Sequence, residues 1–66
     1  MNGQPARLLV PQHEALVTLG DISRTTLWEL ANSGELVRVR IGRRSFVTAE
    51  SIKEYVERLK VAARAS

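Results

Sequence analysis

Cysteine is absent from these 66 residues, so neither a disulfide framework nor a thiolate metal site exists. Histidine occurs once, as His13, and a single imidazole cannot build a metal cage. No apolar run exceeds three residues, Leu8-Leu9-Val10 being one, which excludes a membrane span. The N-terminus lacks the basic-then-apolar layout of a secretory leader. Phosphate loops, dinucleotide fingerprints and nucleophile motifs are also missing. The expectation is a soluble, cytoplasmic, non-enzymatic protein with no metal, no cofactor and no small-molecule ligand.

What is present is one economical domain. A chain of this length buries only about 60% of the surface its unfolded form exposes. Apolar residues make up 44% of it, enough for a single core and too many for a disordered tail. The formal net charge is +3, and its distribution says more than its size. Four of the seven residues from Arg38 to Arg44 are arginine and none is acidic. In the last segment, by contrast, Glu50, Glu54 and Glu57 alternate with Lys53, Arg58 and Lys60, which reads as a mixed-charge helix surface with i, i+4 pairs to Lys53 and Arg58.

Residues 1–7 read as a flexible lead, 8–62 as the folded domain and 63–66 as a frayed end. Pro11 fits the first turn of a helix, and Ala15, Leu16 and Leu19 give that helix an apolar face. Gly20-Asp21 ends it. Ser23 is an N-cap for a second helix of about eleven residues, near the globular average. Leu27, Leu30 and Ala31 form its buried stripe, and Gly34 is free to close it in the left-handed conformation. The period then changes. Val37, Val39 and Ile41 alternate with Arg38 and Arg40, which predicts a strand with the apolar set buried and the arginines outward. Gly42-Arg43-Arg44 is a turn, and Ser45 to Val47 returns as a second strand. Thr48 caps a last helix carrying Ile52, Tyr55, Val56 and Leu59 at helical spacing. The fold class expected is α+β, mostly α, in the order helix, turn, helix, two-stranded hairpin, helix.

Two short helices joined by a tight turn have the layout of a helix-turn-helix, and the following hairpin makes it winged. In that motif the N-terminal residues of the second helix reach base edges in the major groove. With Leu27, Leu30 and Ala31 inward, Arg24, Thr25, Trp28 and Asn32 project outward beside the Ser23 cap. Arg24 can donate twice to a guanine or once to a phosphate, Thr25 can bond a phosphate or touch a thymine methyl, and Asn32 can pair with adenine. The plain alternative is that Arg24 and Asn32 are ordinary solvated side chains. Trp28 stays open between contact with DNA and packing under the hairpin. Arg38, Arg40, Gly42, Arg43 and Arg44 form a basic wing suited to phosphates or a minor groove. Arginines also protect sheet edges from aggregation, but four in seven exceed what protection needs. His13 reads as a solvated residue on the first helix.

The run SRTTLWELANSGELVRVRIGRRSFVTAESIKEYV, Ser23 to Val56, resembles the excisionase-type winged helix-turn-helix domains, relatives of the mercury-resistance-regulator DNA-binding domain. The matching features are Ser23-Arg24-x-Thr26-Leu27-Trp28-x-Leu30, Gly34-x-Leu36, Arg40-Ile41-Gly42-Arg43-Arg44, and a final helix with Ile52 and Tyr55. Leu8-Leu9-x-Pro11 fits as well. The resemblance implies a recombination directionality factor of phage or other mobile elements. Such a factor binds and bends attachment-site double-stranded DNA, often as several copies side by side, and directs an integrase toward excision. By position it puts Arg24, Thr25 and Trp28 on the recognition helix and Arg40, Arg43 and Arg44 on the wing. Two departures stand out. Gly20-Asp21-Ile22 is one residue longer than the family's usual inter-helix turn. Phe46 replaces a commonly polar residue, either as an apolar patch for a neighbouring copy or as core filling. A small transcriptional regulator and a protein-binding adaptor with a basic face are the competing readings.

Overall fold

Three strands and three helices are formed in the computed structural model, which describes residues 7–65. They run in the order β1 (Leu9–Pro11), α1 (Gln12–Thr18), α2 (Arg24–Asn32), β2 (Arg38–Ile41), β3 (Arg44–Thr48) and α3 (Ala49–Ala65). The sheet is antiparallel with β3 in the centre, between β1 and β2. The α+β, mostly helical class and the helix–helix–hairpin–helix order are as expected from the sequence.

Each end of α2 is closed by side-chain or turn chemistry. The Ser23 hydroxyl oxygen accepts from the Thr26 amide at 3.1 Å, satisfying one of the orphan donors of the first turn. At the other end Gly34 takes φ 86°. Its amide donates to Ala31 and the Glu35 amide to Leu30, the paired bonds of a Schellman closure. That closure stops the helix at nine residues, shorter than the expected eleven. The inter-helix turn holds two successive left-handed residues, Gly20 (φ 97°) and Asp21 (φ 61°). It is clamped by the Ile22 amide donating to the Leu16 carbonyl at 3.1 Å.

The core is built from Ala15 of α1, Leu27 of α2, Leu36 just before β2, Val47 of β3 and Ile52 of α3, all buried. Leu30, with Leu16, Leu19, Ile22, Val10 and Tyr55, packs around them half-buried. Burial of this kind supplies most of the stability of so small a domain.

Four differences from the sequence expectation have physical causes. Leu9–Pro11 forms a strand beside β3. Three residues are too few to show a period, and Pro11 is tolerated there because β1 is an edge. Second, the hairpin faces the other way. Cross-strand partners share a face of the sheet, and Arg38 stands opposite the buried Val47. Arg38 and Arg40 therefore lie on the core side, and Val37, Val39 and Ile41 on the outer side. Val37 and Ile41 are exposed and Val39 is half-buried. Leu36, just before the strand, fills the core instead.

Third, α3 outlasts the core. Ile52 is buried and Tyr55 half-buried, whereas Val56 and Leu59 are exposed, because a 17-residue helix of about 25 Å extends past a small domain. It stays helical through Ala65, across positions expected to fray, where Ala62, Ala63 and Ala65 favour helix. Fourth, Arg58 does not pair along α3. It grips Glu35, with its guanidinium at 2.8 Å from Oε1 and 3.1 Å from the Glu35 carbonyl. Lys53, also expected to pair along the helix, makes no ion pair among the described residues, and of the α3 carboxylates Glu57 pairs with Lys60. The expected lead over residues 1–7 lies outside the described residues except for Arg7, which pairs with Glu14 at 2.9 Å.

Candidate nucleic-acid interface

The solvent face of α2 follows from its core face. Leu27 is 1% exposed, and helical geometry then turns Thr25, Trp28, Glu29 and Asn32 outward. All four are exposed, Trp28 to 54%. Tryptophan is absent from the core cluster. Instead its ring borders an open concavity shared with Gln12, Arg24, Thr25, Leu27 and Arg38. Ser23 is exposed too, but its hydroxyl is occupied locally. It accepts from the Thr26 amide and donates to Thr26 Oγ1 at 3.0 Å.

The hairpin divides its arginines between its faces, with Arg38 and Arg40 on the core side and Arg44 beside Ile41 and Phe46 on the outer one. Gly42 has φ 62° at the first central position of the two-residue Gly42-Arg43 turn. A positive φ there suits the twist of an antiparallel hairpin and is open to glycine at little cost. The turn holds Ile41 and Arg44 as a closing pair. Arg38 and Arg40, on the helix-facing side of the sheet, stay exposed because β2 is an edge strand. Arg43 is exposed at the tip. Arg44 lies over the Phe46 ring, its Cζ 5.2 Å from the centroid, a cation–π distance. Phe46 is half-buried outside the core cluster, opposite Val39 and Pro11.

These arginines make no ion pair among the described residues, a state they share with Lys53 and Arg64 of α3. Among the described residues Arg7, Arg58 and Lys60 are ion-paired. Arg24, Arg38, Arg40, Arg43 and Arg44 have no acidic partner there. Arg24 and Arg38 border one concavity with Trp28, and the four arginines from Arg38 to Arg44 concentrate positive charge in the hairpin.

A second concavity adds residues the sequence did not single out. Gln12, His13 and Ser45 line it together with Arg24 and Arg44. Nothing in the chain's local pattern marks them, because they meet only when β1 pairs with β3 and sets the start of α1 beside the wing. The described residues hold no group of His, Asp and Glu able to bind a metal ion. No helix among them is long and apolar enough to cross a membrane.

The chain matches none of the curated proteins or solved structures with which it was compared. The family model of the helix-turn-helix domain, however, matches residues 18–60, from the last residue of α1 through α2, the hairpin and most of α3. With that match over most of its length, the chain belongs to the helix-turn-helix domain family, as a small DNA-binding protein.

Proposed function

We propose that this protein is an excisionase-like architectural factor that binds and bends attachment-site DNA so that an integrase excises the element. In this reading α2 lies in the major groove, where Thr25, Trp28 and Asn32 meet base edges. Arg38, Arg40, Arg43 and Arg44 follow the phosphates, with Gly42 letting the wing tip approach the backbone. The observation that carries it is the exposed face of α2 together with Arg24, Arg38, Arg40, Arg43 and Arg44, none of which has an acidic partner among the described residues. The ordered motif from Ser23 to Val56, which resembles excisionase-type domains, supports the excisionase reading. The work would take place in the cytoplasm of a bacterial host, with further copies side by side on DNA because one helix and one wing read a short site.

Four wing arginines on four phosphates imply a log–log salt slope near −3.6, or about 150-fold weaker binding at 200 than at 50 mM salt. Gel shifts with a duplex selected from a random pool, and with a scrambled one, test this. Thr25→Ala or Asn32→Ala should lower the preference for the selected duplex, and Arg43→Ala should weaken both equally. Salt-independent binding, or none, would remove the DNA reading. An excision assay with the integrase of the same element tests the finer role, and unchanged excision without the protein would return it to a transcriptional regulator.

A further inference from the structure

We infer that a single backbone phosphodiester of duplex DNA sits in the concavity between α1, α2 and the wing, held jointly by Arg24 and Arg44. This rests on the DNA-binding reading above and assigns Arg24 to a phosphate, not to a guanine. Three observations lead there. Arg24, the first residue of α2, and Arg44, the first residue of β3, line one concavity although they are 20 positions apart. Neither has an acidic partner among the described residues, and no acidic side chain lines the concavity. Two arginines bordering one space with no acidic side chain beside them repel each other, and an anion between them reverses the sign of that interaction.

Beside the apolar Pro11 and Leu16, three further lining residues fit the same ligand. Gln12 offers an amide N–H, His13 a ring N–H and Ser45 a hydroxyl, all donors to phosphate oxygens. An arginine fork matches phosphate geometry and binds it more tightly than a neutral donor does. The other concavity, lined by Leu27 and Trp28 as well as Arg24 and Arg38, is more apolar and suits a base edge or sugar. One phosphate bridging helix and wing would fix the angle at which α2 enters the groove. Arg24 then sets register and contributes no sequence preference.

The salt dependence of binding separates one shared phosphate from two. Arg24→Gln, Arg44→Gln and the double variant are titrated on a random-sequence 20-base-pair duplex at several salt concentrations. Both positions are exposed, and circular dichroism checks that each variant is folded. With a shared phosphate, each single variant weakens binding and the double variant flattens the slope by no more than about 0.9. Two separate phosphates would flatten it by about 1.8, and that result overturns the proposal. So does a single variant with wild-type affinity, or an Arg24→Gln variant that loses selected-duplex binding much more than random-duplex binding. Gln12→Ala and Ser45→Ala should weaken binding a few-fold at unchanged slope, and no effect of either would remove them from the site. If the wild type shows no salt-dependent binding, the DNA reading itself fails, which is a different result from an additive double variant.

Discussion

Arg38 stands directly opposite Val47 across the β2–β3 ladder, and Val47 is completely buried. A guanidinium and a core valine thus share one face of the sheet. The guanidinium escapes burial because β2 is the outermost strand, beyond the cover of the helices. This pairing turns Arg38 and Arg40 toward the side on which α2 presents its exposed residues. It also leaves Val37, Val39 and Ile41 on the far side, away from the core.

Substitution at Ile41 follows from that orientation. Its side chain is 59% exposed, so Ile41→Ser should change stability by no more than about 0.5 kcal/mol. Were the alternating apolar set buried, placing a hydroxyl there would cost about 2 kcal/mol or more. Urea unfolding of the two proteins decides between them. A midpoint shift matching the larger value would mean that the hairpin sits the other way round.

The alternation at 37–41 was legible as a strand but not as an orientation. A period of two defines two faces and says nothing about which is inside. That choice belongs to Val47 and Leu36, whose burial depends on α1 and α2 packing from one side. Where local chemistry decides, the sequence is readable. Ser23, Thr48 and Gly34 each announce a helix end through a hydroxyl or a left-handed turn, and each does so in the structure. Strand β1 is invisible for the opposite reason, since Leu9–Pro11 becomes a strand only when β3 is beside it. Gln12, His13 and Ser45 share that invisibility, because the concavity they line exists only once those strands pair. Arg58 looked like a partner for its own helix, yet Glu35 is carried to it by the burial of the adjacent Leu36.

Ser51 ties α3 to the segment leading into the hairpin. It is the buried polar residue of the described chain, with its hydroxyl donating to the Thr48 carbonyl at 2.9 Å and accepting from the Val37 amide at 3.1 Å. Ser51→Ala leaves both backbone groups without that partner, at a cost of about 1–3 kcal/mol. Faster hydrogen exchange at the Val37 amide should accompany the loss. Wild-type exchange there would mean that water or a shifted backbone replaces the hydroxyl.

The Ser23 cap separates folding from recognition. Ser23→Ala should cost about 1 kcal/mol through loss of the bond to the Thr26 amide, while Ser23→Asn, also a good cap, should recover most of it. Because the hydroxyl is already engaged, DNA affinity corrected for the folded fraction should be the same in all three proteins. A deficit in folded, fully helical Ser23→Ala would instead give Ser23 a direct contact with DNA.

Under the proposed phosphate contact, Phe46 is expected to influence duplex binding through Arg44. Its ring lies under the guanidinium at 5.2 Å, which narrows the rotamers Arg44 must give up on binding a phosphate. A cation–π contact at an exposed site is worth about 0.5–1 kcal/mol, so Phe46→Leu should weaken duplex binding by about 2–5-fold. The salt slope should not change, since the number of phosphates neutralised is the same. Phe46→Trp keeps a ring in place and should retain wild-type affinity. The deciding measurement is the double-mutant cycle. In an Arg44→Gln background Phe46→Leu has no guanidinium left to orient, so its effect on binding should vanish. If the full loss persists there, Phe46 supports the wing by packing against Val39 and Pro11, and its contact with Arg44 is incidental to binding.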